Sequence, residues 1–96
     1  MVCRVTDLSP RRGRQVVVEG RELAVFLVDG TVRVYDGLCP HLQGPLGEGY
    51  IEDGCLECPW HAWRFDLRTG TGIVNKTLKL RAYEARIDNG NIVVDL

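Results

Sequence analysis

The chain has 96 residues, of which 45 % are hydrophobic and 26 % charged, and its formal net charge is −1. This length suits a single domain, and a net charge near zero argues against nucleic acid as the main partner. No apolar run approaches the ~20 residues that a membrane-spanning helix needs, and residues 1–5 show no secretory signal. We therefore expect a cytoplasmic protein with no membrane partner.

Short β-rich runs separated by turn residues fill the first third of the chain. The predicted strands are residues 16–18, 23–28 and 32–35. The predicted hairpin turns are Glu19-Gly20, Asp29-Gly30 and Asp36-Gly37, because glycine accepts the positive φ that tight turns need.

Residues 37–54 are rich in Gly and Pro and are predicted as one long loop, which in a small domain is usually functional. Further strands are expected at residues 55–58 and 63–67, and a last hairpin joins 81–87 to 91–95 across residues 88–90. No helical period of ten residues is present. The pattern predicts an all-β fold, a small antiparallel sandwich or barrel.

Both histidines of the chain follow a cysteine closely. One pair is Cys39-Pro40-His41, and the other is Cys58-Pro59-Trp60-His61, which begins after the sixteen residues 42–57. Thiolates and neutral imidazoles are good ligands for iron and zinc, so two such segments supply a four-ligand cage. Four cysteines in a cytoplasmic chain also favour metal or redox chemistry over structural disulfides.

The segment Cys39-Pro40-His41-Leu42, followed by residues 58–66 (CPWHAWRFD), resembles the Rieske iron–sulfur domain, and most of all the Rieske-type ferredoxins that serve bacterial oxygenases. The resemblance covers nearly the whole chain. It implies a single domain over residues 1–96, with a two-loop cluster-binding insert at about 37–72. It also implies one [2Fe–2S] cluster, whose inner iron is bound by Cys39 and Cys58 and whose outer iron is bound by His41 and His61.

Departures from the respiratory Rieske proteins indicate a low potential. Those relatives carry an extra cysteine in each of the two cysteine–histidine segments, and the two extra cysteines form a disulfide. This chain has Gly44 and Trp60 at those positions. They also have a Ser and a Tyr after the second cysteine–histidine segment, and both donate hydrogen bonds to the cluster. This chain has Trp63 and Phe65 at those positions. Fewer donors stabilise the reduced charge less, so we expect the low end of a window of roughly −150 to +300 mV. Ala62, where the family usually has Gly, is a smaller departure.

The resemblance implies an electron carrier that is not itself an enzyme, since no histidine is left for a mononuclear iron site. A flavin-dependent reductase would supply its electrons and a terminal oxygenase would accept them, with the free carrier a monomer. We expect Leu42, Gln43 and Pro59 to lie at the docking tip. The carboxylates that could steer a basic partner, or simply be solvated, are Glu48, Glu52, Asp53 and Glu57.

The resemblance and the residues leave other interpretations open. The chain could be the small Rieske-like subunit of a nitrite reductase, or the same four ligands could hold zinc in an interaction domain. Cys55 and Cys58 form a C-x-x-C pair that could act as a dithiol, although no helix is predicted there to lower a thiol pKa. Cys3 and Cys55 are otherwise expected to be unremarkable, with Cys55 a small buried strand residue.

Overall fold

The computed structural model describes residues 3–9, 11–38, 45–57, 64–73 and 79–95. Within these ranges the regular structure is β-strand apart from two short 3₁₀ turns, Val5–Asp7 and Leu46–Glu48. The strands are β1 (Cys3–Arg4), β2 (Arg14–Val18), β3 (Arg21–Val28), β4 (Thr31–Asp36), β5 (Tyr50–Glu52), β6 (Cys55–Glu57), β7 (Arg64–Asp66), β8 (Thr71–Gly72), β9 (Ala82–Asp88) and β10 (Asn91–Asp95).

Six strands form one antiparallel sheet in the order β1-β10-β9-β4-β3-β2. Three of its connections are two-residue turns in which both residues have positive φ: Glu19-Gly20, Asp29-Gly30 and Asn89-Gly90. This backbone matches the twist of the flanking strands, and glycine adopts it without a steric penalty. The first two turns and the last hairpin confirm the sequence prediction.

The predicted hairpin turn at Asp36-Gly37 is wrong. Asp36 is the last residue of β4, and the Gly37 N–H continues the pairing by donating to the Glu22 carbonyl at 2.8 Å. The Gly37 carbonyl in turn accepts a hydrogen bond from the Leu46 N–H. Glycine is required at position 37 because a Cβ there would lie 2.4 Å from the Gln15 amide nitrogen and 2.9 Å from the backbone of Glu22, a contact that a pattern of turn dipeptides does not reveal.

The prediction of one unbroken loop over residues 37–54 is also wrong. Leu46–Glu48 is a 3₁₀ turn and Tyr50–Glu52 is strand β5. Strand β5 starts a second antiparallel sheet of order β5-β6-β7-β8, in which Ile51, Leu56 and Phe65 lie side by side. Such three-residue strands carry too little alternation to stand out in the sequence.

Strand β3 of the large sheet is buried on both faces, and this places the small sheet. One face of β3 sends Ala24 and Phe26 into a cluster with residues of the small sheet and its connections; the other face sends Leu23 and Val25 into a second cluster. All six strands of the large sheet contribute to that second cluster, so the sheet curls around it. The fold is the expected all-β, antiparallel arrangement.

No helix in the described ranges is long and apolar enough to cross a membrane.

Candidate functional site: the roots of two cysteine–histidine segments

All four candidate ligands lie outside the described residues. The same is true of the other residues predicted around them, which are Leu42, Gln43, Gly44, Pro59, Trp60, Ala62 and Trp63. What the structure describes is the frame from which residues 39–44 and 58–63 leave and to which they return. We call the described residues that flank each segment its root: residues 37–38 and 45–49 for the first segment, and Glu57 and Arg64 for the second.

The root of the first segment is closed by backbone contacts. Leu38 and Pro45 form an antiparallel bridge, and the Leu46 N–H donates to the Gly37 carbonyl at 2.8 Å. The Leu46 side chain is fully buried in the cluster between the sheets. The two ends of this six-residue segment are therefore held together before any metal is considered.

A side chain from strand β2 spans this root. The Gln15 amide nitrogen donates to the Gly37 carbonyl and to the Glu22 carboxylate, each at 2.9 Å. Its amide oxygen accepts from the Gly47 N–H at 2.7 Å. Sequence reasoning missed Gln15, because one polar residue in a short strand gives no signal of a contact 22 or 32 residues away.

The root of the second segment is the paired end of a hairpin. Glu57 and Arg64 are cross-strand partners at the ends of β6 and β7, and both side chains are exposed. The next pair inward, Leu56 and Phe65, is fully buried and anchors the hairpin. Residues 58–63 therefore connect two fixed points.

Both roots lie at the same end of the molecule. Gly49 follows the 3₁₀ turn Leu46–Glu48 and donates its N–H to the Leu46 carbonyl at 3.1 Å. A Cβ built on Gly49 would lie 2.4 Å from the Glu57 carbonyl oxygen, so the backbones of the two roots approach closely here. The topology thus brings together the residues that flank the two cysteine–histidine pairs, although the sixteen residues 42–57 separate the pairs in sequence.

The four carboxylates singled out in the sequence are all exposed: Glu48, Glu52, Asp53 and Glu57. Glu48 and Glu57 lie at the roots, whereas Glu52 and Asp53 lie at the opposite end of the β5–β6 hairpin, where the Arg68 guanidinium donates to the Asp53 carbonyl. Arg64 lies beside Glu57 across the strand pair, and the Arg12 guanidinium donates to the Glu48 carbonyl. Each root therefore carries one exposed carboxylate with an arginine close to it.

The described cysteines are not disulfide-bonded. Cys3 is buried, and burial is the main reason that its thiol pKa is raised, which makes it a poor nucleophile. Cys55 is half-buried on strand β6, close to its expected role as a small strand residue. Its C-x-x-C partner Cys58 lies outside the described residues. Nothing in the described part of the chain brings three or more His, Cys, Asp or Glu side chains together as a metal site.

The donor set and its frame fit a binuclear iron–sulfur cluster. Two thiolates and two imidazoles match the ligand chemistry of a Rieske centre. They are carried, one pair each, by two short segments whose roots are closed and adjacent.

Comparison with known proteins gives the same assignment. A family model for the Rieske [2Fe-2S] domain matches residues 1–84. The chain is 38 % identical over 82 residues to the ferredoxin component of the naphthalene 1,2-dioxygenase system of Pseudomonas putida. This match covers 84 % of this chain and 79 % of that protein.

Two solved structures resemble the fold closely. One is the complex of reduced oxygenase and oxidised ferredoxin in carbazole 1,9a-dioxygenase, with a TM-score of 0.84, 29 % identity and 98 % of both chains covered. The other is a putative NADH-dependent nitrite reductase small subunit from Mycobacterium tuberculosis, with a TM-score of 0.82, 25 % identity, and 96 % of this chain and 88 % of that chain covered.

These matches cover most of the chain, and they agree with the donor set and the fold. The chain belongs to the Rieske [2Fe–2S] domain family, carries one [2Fe–2S] cluster, and is an electron-transfer protein of the ferredoxin type rather than a catalytic enzyme.

Proposed function

We propose that Cys39, His41, Cys58 and His61 are the four ligands of the cluster, and that the chain is a one-electron carrier between a flavin-dependent reductase and a terminal oxygenase. The observation that carries this proposal is the pairing of a thiolate and an imidazole on each of two segments whose roots adjoin. The cluster, when bound, supplies reversible one-electron chemistry.

The oxygenase as acceptor is supported by the relatives. The Pseudomonas putida protein is named for a dioxygenase system, and the carbazole dioxygenase structure contains an oxygenase with its ferredoxin. The reductase as donor, the monomeric state and the cytoplasmic location are predictions from the sequence. So is the docking tip formed by Leu42, Gln43 and Pro59.

The chain's own residues provide a rigid mount for the two segments. Fully buried Leu46 fixes the first root in the core, and the buried pair Leu56 and Phe65 fixes the second. A close-packed interior resists deformation. Such a mount limits how far the described residues at the ends of the two segments move between the two charge states, and this favours fast electron exchange.

The ligand assignment is tested by cysteine substitution with a matched control inside the same chain. Cys39→Ser and Cys58→Ser should each abolish the visible absorption of the purified protein and lower its iron and sulfide content to near zero. Cys55→Ser should keep the wild-type spectrum and iron content, because Cys55 lies on the strand that precedes the second segment and has no ligand role.

Electron paramagnetic resonance of the dithionite-reduced wild type checks the cluster type. An average g-value typical of mixed nitrogen and sulfur ligation is expected. A colourless protein that contains zinc would contradict the proposal and favour the interaction domain, as would a Cys39→Ser variant that retains the full cluster.

The nitrite reductase subunit is the second candidate, and the Mycobacterium tuberculosis structure favours it. A subunit of this kind would stay bound to a large catalytic chain. Gel filtration of the native protein from its host distinguishes the two functions: a ferredoxin elutes alone, whereas a reductase subunit co-elutes with its catalytic chain.

A further inference from the structure

The Gln15 side chain joins three parts of the molecule that are distant in sequence. Its amide nitrogen bonds the Gly37 carbonyl, just before the first ligand-bearing segment, and its amide oxygen bonds the Gly47 N–H, just after it. Its third bond, to the Glu22 carboxylate, connects it to strand β3. One side chain thus links both ends of residues 39–44.

The three hydrogen bonds fix which way the amide faces. The nitrogen faces two acceptors, a carbonyl and a carboxylate, and the oxygen faces a backbone donor. The reversed orientation would set oxygen against oxygen at Gly37 and Glu22 and nitrogen against N–H at Gly47. The amide is therefore a directional bridge, and a side chain of similar size without its donors cannot replace it.

Two glycines make room for this bridge. A Cβ on Gly37 would lie 2.4 Å from the Gln15 amide nitrogen, and a Cβ on Gly47 would lie 2.5 Å from the Gln15 backbone nitrogen. Both glycines are buried. The root is thus packed against Gln15 on both sides, and neither end of the segment can move away without breaking a hydrogen bond.

We infer that Gln15 is a positioning residue for the first ligand segment: by holding Gly37 and Gly47 together it limits the separation of the segment's two ends, and so the rate at which the cluster is lost. This inference rests on the proposed ligand roles of Cys39 and His41. Separating the two described ends of the segment requires the Gln15 bonds to Gly37 and Gly47 to break, and this adds to the energy needed for cluster release.

The test compares two variants of Gln15 with a matched hydrogen-bond deletion elsewhere. Gln15→Ala removes the bridge. Gln15→Glu keeps the size of the side chain but places an oxygen against the Gly37 carbonyl and the Glu22 carboxylate. Tyr35→Phe is the control, because it removes a 2.6 Å hydrogen bond to the Leu67 carbonyl in the core without touching either root.

The first readout is the half-life of visible absorption in excess chelator, in the cluster-loaded protein, at a temperature well below unfolding. Loss of two backbone hydrogen bonds should shorten the half-life roughly tenfold in Gln15→Ala, and more in Gln15→Glu. Tyr35→Phe should leave it within about twofold of wild type. The second readout is amide hydrogen exchange over residues 45–49 by mass spectrometry, which should speed up in both Gln15 variants only.

The outcomes separate this inference from the ligand assignment. If Cys39→Ser keeps its cluster, the ligand assignment has failed, and faster exchange at 45–49 in the Gln15 variants then reports a structural bridge alone, which overturns the inference. If Cys39→Ser loses the cluster but both Gln15 variants release it no faster than Tyr35→Phe, only the inference is overturned.

Discussion

Tyr35 shows how a single buried polar group ties the two sheets together. Its hydroxyl donates to the Leu67 carbonyl at 2.6 Å, from the large sheet to the chain just after β7, while its ring packs near Phe26. The residue is 3 % exposed, so an unmade bond here would leave the Leu67 carbonyl without water to replace it.

We expect Tyr35→Phe to lower the free energy of unfolding by roughly 1–3 kcal/mol, since it leaves a buried acceptor unsatisfied. Urea denaturation followed by tryptophan fluorescence measures this. A variant as stable as the wild type would show that the carbonyl finds another donor.

The same hydroxyl makes stability depend on pH in the alkaline range. Burial raises the pKa of Tyr35 above its usual value of 10.0. The folded state therefore keeps the proton more tightly than the unfolded chain. The stabilisation is complete below pH 10.0 and is lost as the pH rises through the raised pKa of the folded state.

Raised pKa values at Tyr83, mainly through its hydrogen bond to Asp36, and at Cys3, mainly through burial, act in the same direction. The free energy of unfolding should fall on alkaline titration in both wild type and Tyr35→Phe, but less steeply in the variant. Urea curves at pH 8 and at about pH 11 test this difference. Equal slopes would contradict a role for Tyr35.

At the scale of elements, the junction between the 3₁₀ turn Leu46–Glu48 and strand β5 decides how the two roots meet. Gly49 occupies that junction, where a Cβ would lie 2.4 Å from the Glu57 carbonyl and 2.9 Å from the Leu56 side chain. The obstacle is backbone at the edge of the second root, so it cannot swing aside as a flexible side chain would.

Gly49→Ala should therefore cost about 1–3 kcal/mol of unfolding free energy through overpacking, and it should reduce the yield of cluster-loaded protein. Thermal denaturation and iron content measure the two effects. Gly20→Ala is the control: Gly20 has a φ of +80° and open space around it, so only about 1 kcal/mol of backbone strain is expected, with normal iron content. Equal losses in both variants would contradict the close-contact argument.

The long strands and their turns could be predicted because their signals are local. Residues 23–28 of strand β3 are an apolar run that ends at a turn dipeptide, and a turn such as Asp29-Gly30 needs only its own two residues to adopt positive φ. The two cysteine–histidine pairs are also local signals of three or four consecutive residues each, and the ligand roles proposed for them stay a prediction.

The frame around the candidate site could not be predicted because it depends on tertiary contacts. The 3₁₀ turn Leu46–Glu48 and strand β5 are too short for any periodicity, and Gly37, Gly47 and Gly49 look like ordinary loop glycines in the sequence. They are glycines because another backbone or Gln15 lies against them. A contact between residues 15 and 47 leaves no pattern in the neighbouring sequence of either residue, because the two are 32 residues apart.

At the scale of the whole molecule, the large sheet separates two hydrophobic clusters, and only one of them reaches the roots. Leu46, Leu56 and Phe65 belong to the cluster between the sheets, whereas Cys3 and Ile92 belong to the other cluster. Substitutions near the roots should therefore affect retention of the iron–sulfur cluster first, while the second hydrophobic cluster, inside the curled large sheet, keeps the rest of the fold together.

The midpoint potential is the property of the whole molecule that follows most directly from what surrounds the roots. Phe65 is fully buried and has no hydroxyl to donate. Exposed Glu48 and Glu57 at the two roots add negative charge, which opposes the uptake of an electron. Solvent screens exposed charges, so the lack of a donor at Phe65 outweighs them.

We predict a midpoint potential at the low end of the roughly −150 to +300 mV window for Rieske centres. His41→Cys should keep the iron but lower the potential further, because a thiolate brings a negative charge that a neutral imidazole lacks. An anaerobic redox titration of both proteins, followed by visible absorption and electron paramagnetic resonance, measures the two values.

Glu57→Gln is the control for an exposed charge, and its potential should rise only slightly. A wild-type potential well above zero would show that donors outside the described residues replace the missing hydroxyl, and a His41→Cys potential no lower than wild type would contradict the ligand role of His41.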